Sequence, residues 1–60
     1  MRIQIHIDID DNEIQFNNGV LRSILKYCDT WGDQFNNDMN TDGVMYLCCI
    51  DDEDGNVLYD

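Results

Sequence analysis

The sequence has 60 residues, of which 43% are hydrophobic, and it contains no proline. Its length predicts one domain, residues 1–60, with a thin margin of stability, because a chain of this size buries only about 60% of its unfolded surface. Thirteen acidic residues against three basic ones give a net charge of −10. Neutralising phosphates or anionic lipids requires Lys and Arg, so the composition argues against direct binding to nucleic acid or a membrane. It favours a basic partner or divalent cations.

The three cysteines, Cys28, Cys48 and Cys49, are odd in number and form no C-x-x-C motif. This argues against a disulfide scaffold and a zinc site, and it predicts reduced thiols that act as small hydrophobic side chains. On a strand, Cys48 and Cys49 would point to opposite faces. The sequence shows no signal-peptide pattern, no apolar run near the roughly 18 residues of a membrane helix, and no cofactor motif, so we expect a cytoplasmic protein without a cofactor.

In chain order, residues 2–9 alternate strictly between apolar and polar side chains, which predicts a strand with one buried face. The apolar row consists of Ile3, Ile5, Ile7 and Ile9. A turn-rich quartet, residues 10–13, follows, and Ile14 and Phe16 then resume the alternation. The sequence therefore predicts a hairpin of strands 2–9 and 13–17.

Residues 18–31 have an apolar stripe at helical period, and Asn17 or Asn18 can cap the start. The stripe consists of Val20, Leu21, Ile24, Leu25, Cys28 and Trp31. Gly32 is a plausible stop. The polar residues 33–43 are predicted to form a long loop, with Phe35 and Met39 as its apolar anchors.

The apolar run 44–50 and the residues 57–59 flank an Asp-Gly turn, which predicts a second hairpin. The predicted fold is α+β: a four-stranded antiparallel sheet in the order ββαββ, with one helix packed on one face. Residues 44–50 are apolar on both sides. The face away from the helix must therefore be covered by the long loop, by a second copy of the chain, as in a homodimer, or by another partner.

The acidic residues form three clusters. The predicted hairpin tips carry Asp8, Asp10, Asp11 and Glu13 at one end and Asp51, Asp52, Glu53 and Asp54 at the other; the helix end and loop add Asp29, Asp33, Asp38 and Asp42. Most charge runs are solvated surface. Here almost no basic residues balance them, and unpaired like charge destabilises a small domain, which favours a functional interpretation. Exposed aromatic side chains beside the acids, such as Tyr46, Trp31 and Phe35, would be binding hot spots.

The sequence also contains partial features of two other chemistries. Residues 38–43 match D-x-[DN]-x-[DN]-G, the opening of an EF-hand calcium loop with Asp38, Asn40 and Asp42 as ligands, but Cys49 replaces the bidentate Glu at position twelve. A nucleophilic site would need His6 beside Cys48 or Cys49, and the sequence offers no oxyanion hole. We therefore expect no enzyme and no bound metal.

In size, charge and acidic turns the chain resembles a class of small acidic proteins of phages and mobile elements that mimic nucleic acid, including anti-restriction proteins, anti-CRISPR proteins and inhibitors of uracil-DNA glycosylase. The resemblance covers the whole chain without a residue-by-residue match. It implies a non-enzymatic inhibitor that occupies the basic groove of a host nucleic-acid-binding protein. The alternatives are a small calcium-binding module and an acidic adaptor that binds a basic protein without competing with nucleic acid. The expected partner-binding residues are Asp8, Asp10, Asp11, Glu13, Phe35, Asp38, Asp42, Tyr46, Asp51, Asp52, Glu53 and Asp54.

Overall fold

One helix and one small hairpin are the regular elements of the chain, which we describe from a computed structural model of residues 1–60. Helix α1 spans Asn18–Met39, and the strands β1 (Ile50–Asp51) and β2 (Val57–Tyr59) pair in antiparallel orientation. The predicted four-stranded sheet is therefore wrong, although the small α+β character remains. The predicted packing of the helix on the sheet is also wrong, because α1 makes no contact with either strand.

Helix α1 begins where the sequence predicts. Asn17 is extended, with φ of −158°, and its side-chain oxygen accepts a hydrogen bond from the Val20 backbone N–H at 3.0 Å. This bond satisfies one of the backbone donors that a helix start leaves unpaired. The far end lies at Asn40, which adopts the left-handed conformation at φ of 53° and donates its backbone N–H to the Asn36 carbonyl. Asparagine tolerates this conformation better than most residues do.

The predicted helix end at Gly32 is wrong, because the helix continues for seven further residues to Met39. Gly32 lies instead where the chain after the helix crosses it. A Cβ on Gly32 would lie 3.2 Å from the Cβ of Met45. The glycine thus permits a close approach of two backbones. Residues 33–39, predicted as part of a loop, belong to this helix.

The predicted N-terminal hairpin does not form. Residues 11–13 make a turn, but residues 1–10 and 14–17 belong to no strand. No backbone or side-chain hydrogen bond involves residues 1–9. The alternating pattern has the composition of a strand, but a strand also requires a hydrogen-bonded neighbour, and no part of the chain supplies one.

The C-terminal hairpin forms over a shorter span than predicted. Ile50 pairs with Tyr59 and Asp51 with Val57, with an irregularity between the two pairs. Residues 44–49, predicted as strand, remain outside it. The turn contains Gly55 at φ of 85°, a conformation that favours glycine.

The chain has no buried core, since no residue falls in the buried class. Apart from Leu21, the half-buried helical positions follow one another at four-residue intervals and form a ridge: Val20, Ile24, Cys28, Gly32 and Asn36. The later part of this ridge, from Cys28 to Asn36, faces the crossing segment around Met45. No helix of the chain combines the length and apolar content that crossing a bilayer requires.

Candidate functional site

Two acidic turns, far apart in sequence, are joined by hydrogen bonds in the structure. The Asp11 backbone N–H donates to the Glu53 Oε1 atom at 3.0 Å, and the Glu53 backbone N–H donates to the Asp11 Oδ2 atom at 3.1 Å. We call this reciprocal pair the clasp. It joins residues 42 positions apart in the chain. The sequence predicted both turns but placed them at separate hairpin tips, so their union is a finding of the structure.

Each turn is held by an aspartate of its own. The Asp10 Oδ1 atom accepts the Asn12 backbone N–H at 2.8 Å, and the Asp10 carbonyl accepts the Glu13 N–H at 2.9 Å. Such bonds from an aspartate to the backbone two residues on are typical of Asx turns. The spacing Asp-x-Asn at residue 10 was the available sequence signal.

The second turn depends on Asp52. Its Oδ1 atom accepts the backbone N–H groups of Asp54 at 3.0 Å and Asn56 at 2.8 Å, and its Oδ2 atom accepts the Asn56 side-chain amide at 3.0 Å. The Asn56 side-chain and backbone bonds lower the pKa of Asp52 most, and backbone bonds from Asp54 and Gly55 lower it further. Hydrogen bonds to the charged form favour that form, so this carboxylate is a fixed negative charge in the turn.

The two turns together define the acidic pole, residues 10–13 and 51–54. Its seven carboxylates belong to Asp10, Asp11, Glu13, Asp51, Asp52, Glu53 and Asp54. The bases Arg2, Arg22 and Lys26 form no ion pair with any carboxylate. Backbone N–H groups therefore orient several of these carboxylates, while no cationic side chain neutralises them.

The acids near the helix end are arranged differently. The Asp38 carboxylate accepts the Gln34 side-chain amide at 3.2 and 3.4 Å, and Asp42 accepts no hydrogen bond. The loop between them is shaped by Asn36, whose Oδ1 atom accepts the Thr41 hydroxyl and the Gly43 N–H, each at 2.8 Å. Nowhere in the chain do three His, Cys, Asp or Glu side chains approach closely enough to hold a metal ion. The structure therefore gives the calcium-loop interpretation no preformed cluster.

The expected aromatic contacts lie on a separate surface from the clasp. Phe35, 41% exposed, lines a shallow groove with Ile5, Trp31 and Met45, and Asp38 lies at the same groove. Trp31 also stacks on Tyr27, with ring centroids 5.4 Å apart. Tyr46 is 64% exposed and lines neither of the two main grooves. Phe35 and Asp38 are thus brought together, whereas Tyr46 and Asp8 have no hydrogen-bonded link to the pole.

Cys48 and Cys49 lie outside any strand, in a segment predicted to be one. The pKa of the Cys49 thiol is raised, chiefly by the neighbouring Cys48, then by desolvation and by the charges of Asp51 and Asp60. The expectation of opposite faces required a regular strand, and residues 44–49 form none. A raised pKa keeps the thiol protonated, which weakens it as a nucleophile.

The chain matches no protein-family model, and no curated protein or solved structure is significantly similar to it. Its function has to be inferred from the chemistry of the acidic pole and its surroundings.

Proposed function

We propose that the protein is a non-enzymatic inhibitor that mimics nucleic acid and blocks the basic groove of a host nucleic-acid-binding protein. The observation that carries this proposal is the clasp between Asp11 and Glu53, which unites two acidic turns in one surface. A groove that binds phosphates is lined by Lys and Arg. A cluster of carboxylates without basic neighbours has the complementary charge.

The pole suits this role because part of its charge is fixed in place. Asp10, Asp11, Asp52 and Glu53 accept backbone hydrogen bonds, so their orientation is set before a partner arrives. Preorganised groups lose less conformational freedom on binding. Mutual attraction would speed encounter with the groove and weaken as salt is added.

Apolar groups add an attraction that salt does not screen. Phe35 and Tyr46 are both exposed, and exposed aromatic side chains supply much of the binding energy in protein interfaces. A host target of this kind places the protein in the cytoplasm of the cell that makes it or of the host.

The proposal is tested by neutralising carboxylates that hold no backbone group. In the pole these are Glu13, Asp51 and Asp54, and the variant is Glu13→Gln with Asp51→Asn and Asp54→Asn. Its matched control changes the net charge equally at acids outside both the pole and the expected partner-binding residues: Asp29→Asn, Asp33→Asn and Asp60→Asn. Host proteins are captured from lysate on the wild-type protein at low and high salt, and the association rate of the captured protein is then measured for each variant.

We expect the pole variant to associate about tenfold more slowly or worse, and the control to change far less, since long-range attraction depends on charge near the contact. A DNA or RNA duplex should compete with the wild-type protein for the captured target. Equal binding by the pole and control variants would refute a role for the pole. Simultaneous binding of the protein and the duplex would refute mimicry and indicate an adaptor.

A further inference from the structure

The chain exposes far more surface than a folded monomer of its mass. Its accessible surface is 5630 Å², whereas a monomeric protein of 7.0 kDa is expected to expose about 4,000 Å². Its radius of gyration is 13.1 Å, against about 10 Å for a compact chain of this length. The excess accessible surface is thus about 1,600 Å² per chain. Two copies that bury this excess against each other would bury about 3,200 Å² in total, within the range of obligate homodimers.

The largest unsatisfied element is the isoleucine segment, residues 1–9. It makes no hydrogen bond, so its backbone N–H and C=O groups are all available to a neighbouring strand. One of its alternating faces is entirely apolar and exposed: Met1, Ile3, Ile5, Ile7 and Ile9. An extended segment with free backbone groups and an apolar row is a template for strand addition.

The polar face of the same segment has a direction. Arg2 stands near one end and Asp8 near the other, with the uncharged Gln4 and the single histidine His6 between them. Two such segments in parallel would set like charges side by side. In antiparallel orientation each Arg2 faces an Asp8, and directly opposed opposite charges stabilise a strand pair.

We propose that residues 1–9 pair with the same residues of a second copy, antiparallel, with the two-fold axis at Ile5. Ile3 then faces the partner's Ile7, and Arg2 faces the partner's Asp8. The pairing uses the whole segment that lacks hydrogen bonds. Ile5 also lines the groove of Trp31, Phe35 and Met45, so the apolar side of the ribbon continues onto the helices of both copies.

The charges of the two acidic poles do not oppose this arrangement at close range. The acidic pole begins at Asp10, directly after the isoleucine segment. Antiparallel pairing therefore places the two poles at opposite ends of a nine-residue ribbon, about 30 Å apart. That is several Debye lengths at physiological salt, where the screening length is about 8 Å. Both poles stay open to other partners.

The test measures molecular mass by sedimentation equilibrium for the wild-type protein and for charge-reversal variants. The wild-type protein should be a dimer. Arg2→Asp and Asp8→Arg each replace two attractive cross-strand pairs by two repulsive ones, and each should weaken the dimer at least about tenfold. Because neither side chain makes a hydrogen bond within the chain, the helical circular dichroism signal of α1 should be unchanged.

The rescue is the decisive arm. Mixing the Arg2→Asp chain with the Asp8→Arg chain should restore a dimer, and so should both substitutions in one chain, since antiparallel pairing is complementary again in each case. Ile5→Lys, at a position 75% exposed in the single chain, should give a monomer. The pole variant Glu13→Gln, Asp51→Asn, Asp54→Asn should remain a dimer, which separates this inference from the proposed function.

Three results would overturn the inference. One is a wild-type protein that stays monomeric at concentrations on the order of 100 µM, where even weak dimers form. Another is a dimer that survives both Ile5→Lys and Arg2→Asp unchanged. The third is a monomer whose residues 2–9 are protected from amide exchange, which would show that the segment finds its neighbour within its own chain.

Discussion

Hydrogen bonds from polar side chains hold the backbone of residues 10–59, whereas the neighbouring isoleucine segment, residues 1–9, has none. In residues 10–59, single polar side chains accept hydrogen bonds from backbone N–H groups at the helix start, the helix end and both acidic turns. These side chains are Asn17, Asn36, Asp10, Asp52 and the clasp of Asp11 with Glu53. The isoleucine segment is hydrophobic enough for a core and makes no hydrogen bond at all.

The difference shows what each kind of interaction demands. A hydrogen bond between a side chain and the backbone needs one acceptor and one donor, commonly within a few residues. The chain can therefore form it locally with little loss of conformational entropy. Burying an apolar row needs a second surface of matching size, and a helix with one short hairpin does not provide it. Substitutions that remove these hydrogen bonds one at a time should therefore destabilise the chain more than truncation of an isoleucine in residues 1–9.

Asn36→Ala should have the largest effect on the single chain. Its side chain accepts from Thr41 and Gly43 and donates to the Gly43 carbonyl. Three bonds of about 0.5–1.5 kcal/mol each imply a loss of about 2 kcal/mol in unfolding free energy. Asn37→Ala is the matched control, because it gains the same helix propensity and removes no bond. Urea unfolding measures the stability of both variants, and equal stability would contradict a stabilising role for the Asn36 hydrogen bonds.

Asn17→Ala should cost about 1 kcal/mol, the usual value for a lost N-cap. The bond at risk joins the Asn17 side chain to the Val20 backbone N–H. Asn18→Ala, at the first helical position, removes no such bond and is the control. Thermal unfolding followed by circular dichroism should show a lower midpoint for the first variant alone. A lower midpoint for Asn18→Ala instead would move the helix start by one residue.

Asp52→Asn should have a smaller effect that depends on pH. The pKa of Asp52 is lowered in the folded chain, chiefly by Asn56. Its stabilisation is therefore complete above the ordinary carboxyl pKa of about 3.9 and is lost as pH falls through the lowered value. The midpoint difference between wild type and variant should be constant from about pH 7 to 5 and shrink below about pH 4. Asp51→Asn makes the same charge change without removing a turn bond; a matching pH dependence there would contradict the assignment.

Ile7→Ala should have the smallest effect in dilute solution. Ile7 is 66% exposed, and exposed substitutions usually fall within about 0.5 kcal/mol. Ile24→Ala is the comparison, because Ile24 lies on the half-buried ridge of α1 and should cost more. At high protein concentration the order should reverse if the isoleucine segment pairs between copies. A large loss for Ile7→Ala in a dilute monomer would mean that the chain buries this side chain itself.

The sequence predicted local features correctly where the responsible residues are local. The cap at Asn17 and the turn before Val57 are both present. The helix end at Gly32 was wrong, since a glycine stops a helix only if the chain turns there, and the contact with Met45 depends on the folded path. The C-terminal hairpin forms in part. The N-terminal strands do not form, because alternation indicates only that one face is apolar, and a strand also needs a hydrogen-bonded neighbour.

The candidate site divides in the same way. Both acidic turns could be predicted from their Asp-rich composition, and the spacings at Asp10 and Asp52 are those of Asx turns. Their meeting through Asp11 and Glu53 could not be predicted, because the two residues are 42 positions apart and no periodicity links them. Asn36 was also missed, since an asparagine inside a helical stretch gives no signal of the loop that it holds.

Because the clasp joins distant residues, we expect the acidic pole to form late in folding. Helix α1 can form from contacts within a turn or two, on the microsecond scale or faster. The clasp must close a loop of 42 positions, and contacts of high sequence separation form more slowly. A nascent or partly unfolded chain therefore carries the same charges without the joined surface. If the proposed function holds, a basic groove should bind the folded protein more tightly than a partly unfolded chain of the same charge.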